Sequence, residues 1–109
     1  KNKTPQIIWV KVENTSHLGT PDLLGYNKNN TFFTLELKVT KSNRLTFSPH
    51  QIAFHIKHPI NSFILAMQTL DQSLKLYEGN QIETLATRGL KLDARCEGLA
   101  NCIGKLEAV

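Results

Sequence analysis

Asp22, Glu36 and Lys38 are the side chains whose types and spacing could do chemistry. All three lie in "GTPDLLGYNKNNTFFTLELKVT", residues 19–40. Within "TFFTLELKVT" successive side chains take opposite faces of an extended strand. Phe33, Leu35, Leu37 and Val39 make one face, which is uniformly apolar, and Thr34, Glu36, Lys38 and Thr40 make the other. Glu36 and Lys38 therefore project the same way, roughly 6.5–7 Å apart along the strand. The register of the preceding hairpin decides where Asp22 goes. A loop made of Lys28, Asn29 and Asn30 sets Asn27 against Thr31 and Asp22 against Glu36, and asparagine tolerates the left-handed conformation such a loop needs. A two-residue loop would pair Asp22 with Leu35 and send the acid into the apolar face, so hydrophobic patterning favours the first register. Like charges directly opposite one another destabilise a strand pair. A divalent cation that takes hard oxygen ligands, Mg²⁺ or Mn²⁺, would offset the repulsion. The alternative is that Glu36 and Lys38 decorate a solvated face while Asp22 is a turn residue.

The elements that must position these side chains follow from local pattern. "IIWVKVE" (7–13) has β-branched and aromatic residues at strand density, and "TSHLGT" reads as a loop. "PDLLGY" and "TFFTLELKVT" are strands joined by the asparagine-rich "NKNN", and a basic loop, "KSNR", follows. In "SPHQIAFHIKHP" Ser48 suits an N-cap, Pro49 the first helical position and Gln51 the far end of an S-x-x-Q capping box. Pro59 ends that helix, because the residue before a proline is pushed out of the α region. "SFILAMQ" (62–68) predicts a buried strand, and "LKLYEGNQIETLA" (74–86) a hairpin around Gly79 and Asn80. Leu92, Cys96, Leu99, Ile103 and Leu106 step by four, three, four and three, the spacing of one helix face, although Gly98 and Gly104 weaken it. Strand, strand, strand, helix, strand, hairpin, helix predicts an α+β or α/β fold, a mixed β-sheet flanked by few helices.

A chain of 109 residues is expected to be one domain, 1–109, with a single core. No apolar run approaches a membrane span, and "KNKTPQ" lacks a signal-peptide core, so no membrane partner is expected. Cys96 and Cys102, six apart, match neither a zinc site nor a disulfide framework, which favours a reducing, cytoplasmic compartment. A net charge of +4 tilts the expectation of a partner towards an anion, nucleic acid first.

Taken in order, Gly19-Thr20-Pro21-Asp22, then Glu36-Leu37-Lys38, then a loop and Ser48-Pro49-His50-Gln51 resemble the PD-(D/E)XK nuclease superfamily. More narrowly, they are similar to the small VRR-type and phage-encoded nucleases described as Holliday-junction-resolvase-like. The likeness covers roughly residues 9–90 and takes in Glu13 and "SFILAM". It departs in one respect. The family core usually opens with a helix that contributes an acid, whereas this chain opens on "QIIWVKVE", so Glu13 would stand in from a strand. The resemblance implies a restriction-endonuclease-like core and a metal-dependent DNA endonuclease. Asp22, Glu36 and the backbone carbonyl of Leu37, with Glu13 completing the set, would hold one or two Mg²⁺ (or Mn²⁺) ions. Lys38 would orient the attacking water and offset charge on the phosphate, and Gln51 would be the auxiliary residue facing them. A phage origin would make the compartment the host cytoplasm.

Lys41 and Arg44 in "KSNR", with Lys28 at the hairpin tip, are candidate DNA phosphate contacts; ordinary solubilising charge is the alternative for each. His17, His50, His55 and His58 form no zinc spacing and read as surface or packing residues. So small a chain has little room for a base-reading module, which points to recognition of DNA shape, such as branches or junctions. Symmetric cutting of a junction needs two active sites and hence a homodimer. The Leu92–Leu106 stripe could supply that interface or pack on its own sheet. Other nicking, degradative or short-sequence-specific nucleases of the same fold are the enzyme alternatives, and a non-catalytic DNA-binding module or a purely structural protein the others.

Overall fold

In this computed structural model, residues 6–12 and 20–109 are described; Glu13, His17 and Gly19 lie outside them. The strands are β1 (Ile7–Lys11), β2 (Leu23–Asn27), β3 (Phe32–Thr40), β4 (Ser62–Gln68), β5 (Ser73–Glu78) and β6 (Cys96–Glu97), and the helices are α1 (Pro49–Lys57), α2 (Ile82–Arg88) and α3 (Leu99–Ala108). They form one six-stranded mixed sheet in sequential order. Only β3 and β4 run parallel. Parallel neighbours need a crossover, and α1 supplies it.

The β2–β3 register is the one that patterning favours: Leu23 opposes Leu35 and Tyr26 opposes Phe32, which carried one step further sets Asp22 against Glu36. Asn30 takes φ 59°, the left-handed conformation at the end of the three-residue loop. Asn27 closes that loop, accepting from the Asn29 and Thr31 N–H groups at 3.0 and 3.2 Å. Its amide meanwhile donates to the Leu106 and Val109 carbonyls at the end of α3. One buried polar residue thus fixes both the hairpin and the docking of the last helix.

The sheet carries a core on each face. Ile64, Ala66 and Tyr77 pack with Leu45, Phe47, Ile82, Leu85 and Leu90 beneath α1 and α2. On the other face Ile7, Phe33, Leu35, Phe63 and Leu76 pack with Cys102 and Leu106 of α3. The stripe on the last helix therefore buries against its own sheet.

Three expectations need correction. Residues 74–86 are not a hairpin: after β5 the chain makes a 3-10 turn at Gly79–Gln81 and enters α2. The tail is not one helix from Leu92. Arg95 donates to the Leu76 carbonyl and Cys96 pairs with Leu76 in the sheet, so the chain is extended there, and Gly98, at φ 86°, precedes the start of α3. Finally, the apolar face of β3 is buried only in its first half, at Phe33 and Leu35, whereas Leu37 and Val39 are 44% and 65% exposed because α3 does not reach them. No described helix is long and apolar enough to cross a membrane.

Candidate active site

Glu36 is only 3% exposed, which removes the reading of it as a decoration on a solvated face. It is buried because β3 is central and α1 crosses over it. The capping box drawn from "SPHQ" is complete: the Gln51 N–H donates to Ser48 Oγ at 3.1 Å, and the Ser48 N–H donates back to Gln51 Oε1 at 3.0 Å. That box holds the Gln51 side chain over the strand. Gln51 Nε2 donates to Glu36 Oε2 at 3.3 Å, and Lys38 Nζ donates to Gln51 Oε1 at 3.1 Å. Gln51 thus caps the helix and also joins Glu36 to Lys38. Phe47 completes the seat of the lysine, its ring centroid 4.9 Å from Nζ, within cation–π reach.

Asp22 reaches the same place from β2. The ladder between β2 and β3 ends at Leu23–Leu35. Beyond that point the Leu37 N–H donates to Asp22 Oδ2 at 2.9 Å, while the Asp22 carbonyl accepts from the Val12 N–H. Residues 33, 35 and 37 turn their backbone polar groups towards β2, so the Leu37 carbonyl emerges on the Asp22 side of β3, past the end of the ladder. Asp22, Glu36, the Leu37 backbone, Lys38 and Gln51 are therefore brought together. Glu13, the remaining expected ligand, lies outside the described residues.

The electrostatics are those of a site short of positive charge. Burial first, and then the neighbouring charge of Asp22, push the Glu36 carboxyl up to about 8, against the opposing pull of Lys38. Its Oε1 is buried with no hydrogen-bond partner. A buried carboxylate oxygen without a donor is costly unless a proton or a cation meets it. Either relieves Glu36, and only a cation leaves both acids ionised. Among the described residues no three His, Cys, Asp or Glu side chains converge as a metal-holding group. Asp22 and Glu36 are a pair, and further oxygens would come from the Leu37 carbonyl, water and a phosphate. Two carboxylates with waters and phosphate oxygens are the usual way Mg²⁺ is held, so the residues present fit a hard divalent ion.

The basic candidates separate. Lys41 and Arg44 are exposed in the turn after β3, which Thr40 closes by donating from Oγ1 to the Arg44 carbonyl at 2.9 Å. Lys28 sits at the hairpin tip, at the other end of the β2–β3 ladder. Five residues, roughly 17 Å of strand, separate Thr31 from Glu36, so Lys28 does not join the site. Of the histidines, His50 is exposed and His58 caps α1. His55 is wholly buried, its Nδ1 2.9 Å from the Gln51 carbonyl, and burial lowers its pKa. It packs a site residue and does not ligate.

Sequence reasoning missed Phe47, for which no local pattern gave a signal. It also missed Arg88 and Lys91, which lie in and just after α2. Their signal was present in Ile82, Leu85 and Ala86, at helical spacing ahead of Gly89. Against family descriptions, curated proteins and solved structures, the chain finds no match.

Proposed function

We propose that this chain is a metal-dependent endonuclease that hydrolyses DNA phosphodiester bonds, structure-selective and resolvase-like. The observation that carries the reading is the opposition of Asp22 to Glu36, with Gln51 bonded to both Glu36 and Lys38. Asp22, Glu36 and the Leu37 carbonyl would hold Mg²⁺ or Mn²⁺. That ion supplies polarisation of the scissile phosphate and stabilises the leaving oxygen.

The rest is done by the chain. Lys38 uses one of its three N–H groups on Gln51, which leaves two for the attacking water and a phosphate oxygen. Its ammonium orients the water and meets the negative charge that develops on the phosphate. Gln51 and Phe47 fix where that ammonium stands, so little reorganisation is left for the reacting complex. The Leu37 N–H holds Asp22 Oδ2 and so sets the face its carboxylate presents.

Symmetric cutting of a branched DNA junction would require two copies acting together. Lys41 and Arg44, exposed and without an ion-pair partner among the described residues, favour a second reading, a DNA-binding module that does no chemistry. Incubation with four-way junction, flap, duplex and single-stranded DNA in Mg²⁺, Mn²⁺ or EDTA separates the two. Symmetric junction nicks that vanish in EDTA are expected. Equal cutting of every substrate would remove the selectivity, and inertness throughout would remove the nuclease.

A further inference from the structure

A cleft of about 630 Å³ lies beside the candidate active site and not in it. One wall is the turn after β3, Ser42, Asn43 and Arg44; the other is the end of α2 and the 3-10 turn that follows, with Thr87, Arg88 and Lys91. Its charged lining is entirely cationic: Arg44, Arg88 and Lys91, all exposed. Among the described residues no carboxylate pairs with any of the three, and Glu78 pairs with Arg95.

The gap between these cations is built by backbone contacts. The Leu90 N–H donates to the Asn43 carbonyl at 2.6 Å and pins the two walls together. Gly89 makes that approach possible. It sits at φ 63°, and a Cβ there would stand 1.9 Å from the Asn43 oxygen. On the other wall the Ser42 N–H donates to Thr40 Oγ1, and the Arg44 N–H to Ser42 Oγ, both at 3.1 Å. The turn is therefore ordered by its own hydroxyls. Thr40 lies two residues beyond Lys38 on the same face of β3, and Ser42, the first residue of the cleft wall, follows two residues later.

We propose that this cleft is a second phosphate-binding subsite, which seats the sugar–phosphate backbone of the nucleic acid strand that passes Lys38. The inference rests on the nuclease reading for the direction of the strand, though not for the chemistry of the cleft. Arginine forks match phosphate oxygens two at a time, and a lysine adds a point charge. The Asn43 amide, which has no partner among the described residues, adds a neutral donor of the kind that positions a backbone without reading its sequence. The volume exceeds that of a single phosphate many times over and suits several linked ones.

The test measures binding of a fluorescent duplex in EDTA, across a range of KCl, by the wild-type chain and by the Arg88→Gln/Lys91→Gln double variant. A control, Lys57→Gln/Lys105→Gln, removes equal charge elsewhere, and thermal melting verifies folding of all three. Two lost phosphate contacts lower the slope of log affinity against log salt by about 2 in the cleft variant. The control keeps the wild-type slope. Equal slopes in wild type and cleft variant overturn the subsite, as does an equal loss in the control. Cleavage by the wild-type chain is scored separately in Mg²⁺. A reduced slope with no cutting in any metal overturns the nuclease and keeps the cleft, whereas an unchanged slope with metal-dependent cutting does the reverse.

Discussion

The two faces of the sheet solve opposite problems. Beneath α3 the core is almost wholly apolar, and Asn27, its one buried polar residue among those described, makes hydrogen bonds through both ends of its amide. Beneath α1 the described chain leaves three buried side-chain atoms without a partner: Thr34 Oγ1, Glu36 Oε1 and His55 Nε2. Thr34 and Glu36 alternate onto the same face of β3, and His55 comes down from α1. Polar groups in excess of their partners on one face, with full satisfaction on the other, are expected where one side holds the chain together and the other is shaped for a ligand. That division can be broken by substitution.

The largest effects should fall on opposite readouts. Glu36→Ala and Lys38→Ala are expected to lower single-turnover cleavage by about 10²–10³-fold or more, with the fold retained by circular dichroism. A binding module would instead show no cleavage before or after either change. Leu106→Ala, in the α3 core, should cost about 2–5 kcal/mol by urea unfolding and leave the cleavage rate of the folded fraction near wild type. Loss of chemistry without loss of stability in this variant would contradict the division.

Next comes the response to pH. The Glu36 carboxyl stands at about 8 in the folded chain, above its ordinary 4.5, so the folded state binds that proton more tightly. Its contribution to metal-free stability is full below pH 4.5 and is lost as pH rises through about 8. His55 acts with the opposite sign: its pKa is lowered by burial, so its contribution is present above 6.5 and is lost as acid protonates it. Between pH 6.5 and 8 Glu36 governs, and stability should fall by roughly 1 kcal/mol per pH unit. Glu36→Gln should flatten that slope and raise the melting temperature at pH 8 while abolishing cleavage. An equally steep slope in the variant would show that another group is responsible.

Smaller still is the cap. Ser48→Ala should cost about 1 kcal/mol and, by loosening Gln51, reduce turnover more than affinity. A stability loss with unchanged turnover would mean that Gln51 holds Lys38 without help from the capping box.

Much of this was legible in the sequence where the physics is local. The Asn-rich loop and the apolar alternation fixed the hairpin register, and Ser48-Pro49-x-Gln51 marked the start of α1. What escaped was non-local. The burial of Glu36 depends on where α1 crosses the sheet, which the alternation along β3 does not reveal. The segment after Tyr77 looked like a hairpin because a strand-like run meets Gly79 and Asn80, yet the helical spacing of Ile82, Leu85 and Ala86 prevails once Tyr77 and Ile64 supply a surface to pack against. The tail stripe kept its helical period through Cys96, but backbone bonds to β5 hold that stretch extended. The cleft beside the site draws two of its three cations, Arg88 and Lys91, from just past that misread segment.

Everything turns on whether Asp22 and Glu36 together hold a divalent cation. Titration of Mn²⁺ into the wild-type chain, Asp22→Asn and Glu36→Gln at pH 8, followed by electron paramagnetic resonance of the free ion, measures this directly. Saturable binding in the wild-type chain that weakens at least tenfold in each variant is the expected result. Binding that is absent, or indifferent to both substitutions, would contradict the account.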